Sequence, residues 1–301
     1  MNLFRLALLI FLWFSLGCKP SHHLTDVPGQ DLPAFLSHPQ PKAPPISAHR
    51  GGGYPGYPEN CLESFGHIVQ QAPALIECDV RMSADSVLLL MHDRSLDRTT
   101  TGTGLVASQT WAQMRELQLK DVEGQTTAYR IPTLERTLTW ARKKQVILTL
   151  DVKRGVPFEK VVEAIAATES QAYAAIITYN LADARQVYEL DERLLISVGM
   201  RNQEELTRAL DSGIPPRNMI AFTGTRLSSP DLYRAIHAEG MLTILGTLGN
   251  LDEQAQAKGD SLYADWAARG VDIFSSDRPF AVARALGVLN TEDAPAARMR
   301  Q

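Results

Sequence analysis

From Ile46 onward, short apolar runs alternate with longer stretches whose apolar positions recur every three to four residues. The short runs Ile46–His49, Ala74–Val80, Val87–His92, Val146–Val152, Ala175–Tyr179, Leu195–Gly199, Met219–Phe222, Leu242–Leu245 and Val271–Ser275 read as strands. Between them, Thr133–Lys144, Phe158–Glu169, Gln203–Asp211, Pro230–Glu239 and Ser261–Arg269 read as amphipathic helices. Gly213, Gly240 and Gly270 stand just past three of these, where a helix end favours a left-handed cap. Strand and helix in alternation predict a parallel sheet with helices outside, in the α/β class. Nine candidate strands are one more than an eight-stranded (β/α)8 barrel uses. Met219–Phe222 is the weakest, being short and followed at once by the loop-like Thr223–Ser229.

One region breaks the alternation. Asp93–Arg130 has Thr- and Gly-rich loops and one short helix candidate around Gln109–Leu117. A connection that long predicts a functional insertion, a small subdomain at about 94–131 after the third strand. No repeat is evident.

The first residues read as a secretory signal peptide over 1–17: Arg5, then the apolar run Leu6–Leu16, too short to span a bilayer. Gly17-Cys18 resembles the end of a bacterial lipobox, although Ser15 stands where an aliphatic residue is usual and Leu16 where a small one is. The expectation is a lipid on Cys18, which would anchor the chain to a membrane without spanning it, with soluble secretion as the alternative. Residues 18–45 read as a tether and lead-in loop, 46–290 as the barrel and 291–301 as a frayed polar tail. The expected location is the cell envelope.

Composition narrows the partners. The 301 residues carry a formal net charge of -4 and 45% apolar residues, enough for a buried core. A slightly acidic chain without a basic stripe argues against nucleic acid. Cys61 and Cys78 are the remaining cysteines, expected as free thiols because Cys78 alternates away from the charged residues beside it.

Polar clusters stand at the ends of the apolar runs: His49-Arg50 with Glu59-Asn60 a short loop later, Glu77-Cys78-Asp79, His92-Asp93, and Asp151-Val152-Lys153. Residues two apart on a strand share a face, so Glu77 and Asp79 lie together, as do Asp151 and Lys153. Buried charges are costly unless paired or metal-bound. Three carboxylates, Glu77, Asp79 and Asp151, make a hard oxygen set that suits Mg2+ or Ca2+. Each cluster alone has a structural reading: a strand-end histidine, a salt-bridged pair, a glycine turn. Their fall at one end of successive strands is what points to an active site. Gly51–Gly53 would let backbone approach phosphate or ligand oxygens without a Cβ in the way.

At this point the chain resembles the glycerophosphodiester phosphodiesterase family, which has a TIM-barrel fold, over Ile46 to about Leu286. His49–Gly52 followed by Pro58-Glu59-Asn60 resembles the family's opening motif, and Glu77-x-Asp79 its metal-binding pair. His92-Asp93, Leu96–Thr100 and Gly102-x-Gly104 resemble the second-histidine motif and the start of the family's insertion. Pro132–Glu135 resembles the returning helix, and Gly270–Ile273 with Ser276–Pro279 the last strand. The resemblance implies a metal-dependent phosphodiesterase that releases sn-glycerol 3-phosphate and an alcohol from a small-molecule glycerophosphodiester. It implies His49 and His92 as general acid and base. Glu77, Asp79 and Asp151 would hold a Ca2+ or Mg2+ ion supported by Glu59 and Asn60, with Arg50 and Lys153 facing the phosphate. The attacking oxygen is left open between the glycerol's own hydroxyl and water. Three positions depart from the family: Asp151 stands for the usual Glu, Cys61 for Thr or Ser, and Thr243–Asn250 lacks the family's Trp. The last leaves the alcohol open. A phospholipase D-like or phosphatidylinositol phospholipase C-like enzyme acting on lipid phosphodiesters is the alternative.

Overall fold

The computed structural model describes residues 31–39 and 43–289. The signal peptide, Cys18 and the polar tail fall outside the described residues.

Strands form in chain order as β1 (Ile46–Ala48), β2 (Ala74–Met82), β3 (Leu88–Leu90), β4 (Gln118–Lys120), β5 (Thr126–Arg130), β6 (Leu148–Val152), β7 (Ala174–Ile177), β8 (Leu195–Gly199), β9 (Met219–Phe222), β10 (Thr243–Gly246) and β11 (Ile273–Ser276). The run β2, β6, β7, β8, β9, β10, β11 is parallel throughout, and β1 pairs with both its first and last members. The sheet closes on itself as a (β/α)8 barrel. Helices α1 (Leu32–Phe35), α2 (Leu62–Gln71), α3 (Trp111–Met114), α4 (Leu134–Lys144), α5 (Phe158–Ala167), α6 (Leu181–Leu190), α7 (Gln203–Leu210), α8 (Pro230–Ala238), α9 (Asn250–Lys258), α10 (Leu262–Ala268) and α11 (Pro279–Ala285) complete the described elements. No helix among the described residues is long and apolar enough to cross a membrane.

The strand count resolves against the sequence expectation at one place. Met219–Phe222 is a barrel strand, β9, paired on both sides. The supernumerary candidate is Val87–His92, of which only Leu88–Leu90 is extended, antiparallel to the end of β2. Leu89 is buried under the insertion while Leu90 joins the main core. The insertion therefore follows the third strand of the chain but the second strand of the barrel.

That insertion has a core of its own. Leu89, Met91, Leu96, Val106, Met114, Leu119 and Ile131 pack together, and Cys61 packs with them from the head of α2. Cys61 and Cys78 are both buried free thiols. Burial pushes the Cys61 thiol up to about 12, so the sulfur stays uncharged at neutral pH.

Short connections fix the rim where the strands end. Asn180, Asn202 and Ser229 each accept a backbone N–H three residues on, starting α6, α7 and α8 close behind their strands. At the opposite end, Gly270 has φ +113 and an added Cβ would sit 2.7 Å from Tyr233 Cβ, so only glycine closes that turn.

Candidate active site

The site begins where β1 stops. His49–Gly51 form a single 3-10 turn in which Arg50 adopts φ 54, ψ 21. A side-chain-bearing residue there costs roughly 1–2 kcal/mol. The turn aims the Arg50 N–H at Glu77 Oε2, 2.7 Å away. Gly51 follows at φ +73, and an added Cβ would lie 2.1 Å from the Phe65 ring of α2. This glycine thus makes room for a core phenylalanine; the expectation that it clears space for a ligand is corrected at this position.

Glu77 and Asp79 project from β2 and Asp151 from β6, where Asp79 and Asp151 are register partners. All three are buried, and one oxygen from each lies within 4.8 Å of the others. Burial, then the charge of Asp79, pushes the Glu77 carboxyl well up. Asp151 Oδ1 is buried with no hydrogen-bond partner among the described residues. Its other oxygen accepts from Tyr179 OH at 2.9 Å and from Lys153 Nζ at 2.5 Å.

The predicted cations are more occupied than expected. Lys153 Nζ sits 2.6 Å from Asp79 Oδ1 as well, so the ammonium bridges two carboxylates. Burial opposes that charge, but Asp79 and Asp151 outweigh it and raise the lysine pKa. Arg50 Nη1 is 3.3 Å from Glu59 Oε2, and its Nε, 3.9 Å from Asp79 Oδ2, is buried without a hydrogen bond. Asn60 clamps the pair of strands: its Nδ2 donates to Asp79 Oδ2 at 2.7 Å, its Oδ1 accepts from Asp79 N at 2.9 Å, and its own N–H donates to Arg50 O at 2.8 Å.

His49 and His92 each lean on a carboxylate through Nδ1, and neither Nε2 has a hydrogen-bond partner among the described residues. His49 Nδ1 is 2.6 Å from Asp277 Oδ1. Asp277 is held from behind, its N–H donating at 2.8 Å to Asp252 Oδ2. Asp252 is itself buried and accepts from Tyr263 OH and Ser276 Oγ. His92 Nδ1 is 2.8 Å from Asp93 Oδ1. Arg98 grips that aspartate at 2.6 and 2.9 Å and Glu59 at 2.9 and 2.8 Å. The Arg98 hydrogen bonds hold the Asp93 carboxyl far below the usual range. His92 is therefore tied back to Arg50 through an unbroken line of ion pairs: Asp93, Arg98, Glu59.

A cavity of about 630 Å³ opens into the barrel mouth. His49, Glu77 and Asp151 line it, with Tyr179 beside Asp151, and Phe222 and Leu248 line it further round together with Arg201, Glu205 and Arg208. His92, Arg50 and Lys153 lie outside its walls. Four residues with evident parts were not singled out from the sequence. Asp277 had the same signal as the others, a carboxylate directly after an apolar strand, and Tyr179 ended a candidate strand. Arg98 appeared only as part of a motif. Asp252 lies within α9 and carried no signal.

A closed parallel barrel whose buried acids and histidine gather at the carboxyl ends of its strands defines a barrel enzyme with its active site at that mouth. The chain belongs to the Glycerophosphoryl diester phosphodiesterase family, whose sequence profile matches residues 49–262. A solved glycerophosphoryl diester phosphodiesterase from Parabacteroides distasonis is 34% identical, with a TM-score of 0.79 over 87% of this chain and 93% of that one. An Oleispira antarctica phosphodiesterase, solved with its product sn-glycerol-3-phosphate, shares the fold at 22% identity and a TM-score of 0.66, covering 81% of this chain and 97% of that one. A glycerophosphodiester phosphodiesterase of Caldanaerobacter subterraneus is 28% identical over 159 residues, 51% of this chain and 65% of that protein. The chain spans less than two thirds of the length of such curated relatives.

Proposed function

We propose that the protein is a divalent-metal-dependent phosphodiesterase that hydrolyses glycerophosphodiesters to sn-glycerol 3-phosphate and an alcohol. The observation that carries this reading is the Glu77, Asp79 and Asp151 cluster, with one buried oxygen unsatisfied, beside the His49–Asp277 pair, with His49, Glu77 and Asp151 facing a cavity. The donor set fits a hard divalent ion: three oxygens converge, Glu77 is poorly compensated, and Asp151 Oδ1 awaits a partner. When bound there, such an ion supplies Lewis-acid charge compensation to the phosphoryl oxygens. Its identity as Ca2+ or Mg2+ belongs to the same proposal.

The chain's own groups handle the protons. In the net reaction an oxygen bonds to phosphorus as the ester bond to the alcohol breaks. The attacking oxygen gives up a proton and the departing one takes a proton. His49 and His92 are the proposed pair, each with Nδ1 engaged and Nε2 free to give or accept. Asp277 and Asp93 fix the ring orientation and tautomer. Arg50, through its backbone N–H on Glu77, holds the acid cluster, while its guanidinium and Lys153 counter the negative charge gathered there.

The test is direct. Purified protein with Mg2+ or Ca2+ is offered a panel of glycerophosphodiesters, and sn-glycerol 3-phosphate is assayed. Release that disappears with chelator is expected; folded protein inactive on the whole panel would sink the reading.

The apolar side of the cavity favours one second reading, lipid phosphodiesters as substrates. Parallel assays on intact and deacylated phospholipids separate the two. Envelope location through a lipid on Cys18 is a further proposal, supported by the leader's composition. Mass spectrometry of the N-terminal peptide from membranes tests it, and an unmodified Cys18 would rule it out.

A further inference from the structure

A second group of metal-type ligands lies at the other end of the barrel. Asp272 stands immediately before β11, His237 in the last turn of α8, and His38 just beyond α1 in the lead-in segment. Strand starts and helix ends mark the barrel's base, opposite the mouth where Asp151 and Asp277 sit. The lead-in segment is stitched there by backbone contacts. His38 N donates to Gly240 O at 2.8 Å, and Ser37 bridges to Met241.

The three side chains converge. His237 Nε2 lies 2.8 Å from Asp272 Oδ2, and His38 Nδ1 lies 4.0 Å from Asp272 Oδ1. One ligand atom from each residue falls within 4.8 Å of the others. The two imidazoles stack with ring centroids 3.9 Å apart and planes 2° from parallel. Two ligands about 2.0–2.2 Å from a shared ion lie up to about 4.4 Å apart, so the pairs at 2.8 and 4.0 Å are within that reach. The carboxylate is also braced as a ligand needs to be. Asp272 Oδ2 accepts from Thr243 N at 2.8 Å and Thr243 Oγ1 at 3.0 Å, which fixes its plane and turns Oδ1 toward His38.

A purely structural account covers part of this. The His237–Asp272 hydrogen bond ties α8 to β11, and that contact needs no second imidazole. His38 adds a ring whose nitrogens have no hydrogen-bond partner among the described residues, placed against another histidine. The site stays open to solvent, with side-chain exposures of 30%, 18% and 22% for His38, His237 and Asp272. Two imidazole nitrogens and one carboxylate oxygen form a donor set that selects a borderline transition-metal ion over Ca2+ or Mg2+. Coordination requires the His38 ring to turn out of parallel, which its place at the surface allows.

We propose that His38, His237 and Asp272 form a zinc-class metal site at the base of the barrel, distinct from the oxygen site at the mouth, which clips the lead-in segment to α8 and β11. The ion takes a lone pair from each neutral imidazole. The proton shared between His237 and Asp272 moves to the far ring nitrogen, and no other bond changes. Three protein ligands leave a position for water, so the clip closes around the ion without a fourth side chain.

The experiment uses the full chain, stripped with chelator and returned to excess Mg2+, which satisfies the mouth. Zn2+ is then titrated, with binding read by equilibrium dialysis and metal analysis. Wild type is expected to take up one Zn2+ that excess Mg2+ does not displace. His38→Ala should weaken that binding by about tenfold or more, with circular dichroism and phosphodiesterase activity unchanged. Zn2+ bound equally by wild type and His38→Ala would overturn the proposal. X-ray absorption at the zinc edge of the wild-type protein is the second reading, independent of any variant. Two imidazoles in the ligand shell support the site; one or none refutes it.

Discussion

The two sides of the barrel mouth are built on opposite principles. On the side of β1, β2 and β6, Glu77, Asp79 and Asp151 are forced together out of water, with Lys153 and Arg50 pressed against them. That side holds a strained Arg50 and, among the described residues, both orphaned polar atoms on charged side chains. On the side of β7 to β10, the cavity is walled by Ile177, Val198, Phe222 and Leu248 together with the Arg201, Glu205 and Arg208 side chains at its edge, and α6 and α7 behind it begin with satisfied caps. A fold that hydrogen-bonds nearly every buried polar atom leaves them unmet where something else is to bind. The difference gathers the unsatisfied charged groups on one side of the cavity and most of its apolar surface on the other.

The largest expected effect comes from breaking the charged side. His49→Ala should lower kcat by about 10²–10⁴-fold, the usual contribution of a positioned acid or base. Asp277→Asn is the sharper variant, because it leaves His49 in place and removes only the carboxylate on Nδ1. Fixing a catalytic imidazole's tautomer is worth up to about 10⁴ where the carboxylate is fully buried. Asp277 is 51% exposed, so water replaces part of its effect and a loss of about 10² is expected. The pH–rate profile should move as well; a profile that keeps its shape while the rate falls would make Asp277 a merely structural residue.

The apolar side should respond differently. Phe222→Ala is expected to raise KM about tenfold for substrates with a bulky or apolar alcohol, and to leave kcat and the KM for small polar alcohols unchanged. Equal losses for both substrate sets would erase the division between the two sides.

The same division explains what could be read beforehand. Carboxylates and imidazoles directly after apolar runs are conspicuous, because the interior tolerates them only for a reason. Glu77, Asp79, Asp151, His49 and His92 were legible on that ground. The pairing of Asp79 with Asp151 was not, since register between β2 and β6 depends on how the barrel closes. Neither was the bridging place of Lys153, which follows from that register. An apolar wall carries no such signature: Phe222 and Leu248 look like any core residue until the cavity is seen. The strand error had another root. Met219–Phe222 was doubted for its shortness and the loop after it, whereas barrel membership is decided by strand partners on both sides, which Met219–Phe222 has and Val87–His92 lacks.

The smallest predicted effect lies at the edge of the charged side, where Arg98 joins Asp93 to Glu59. Arg98 is half exposed, so removing it should cost only about 1 kcal/mol of stability at neutral pH, the upper range for an exposed ion pair. The cost should depend on pH in a defined direction. Asp93 has its folded-state pKa depressed, first by the Arg98 hydrogen bonds and then by His92. Its stabilisation is therefore fully present above the unfolded value of about 3.9 and fades as pH falls through the folded value. Thermal melts of wild type and Arg98→Ala should differ most near neutrality and converge in acid. A gap that stays constant down the acid range would mean that Arg98 supports His92 by packing over Asp93 and not by its charge.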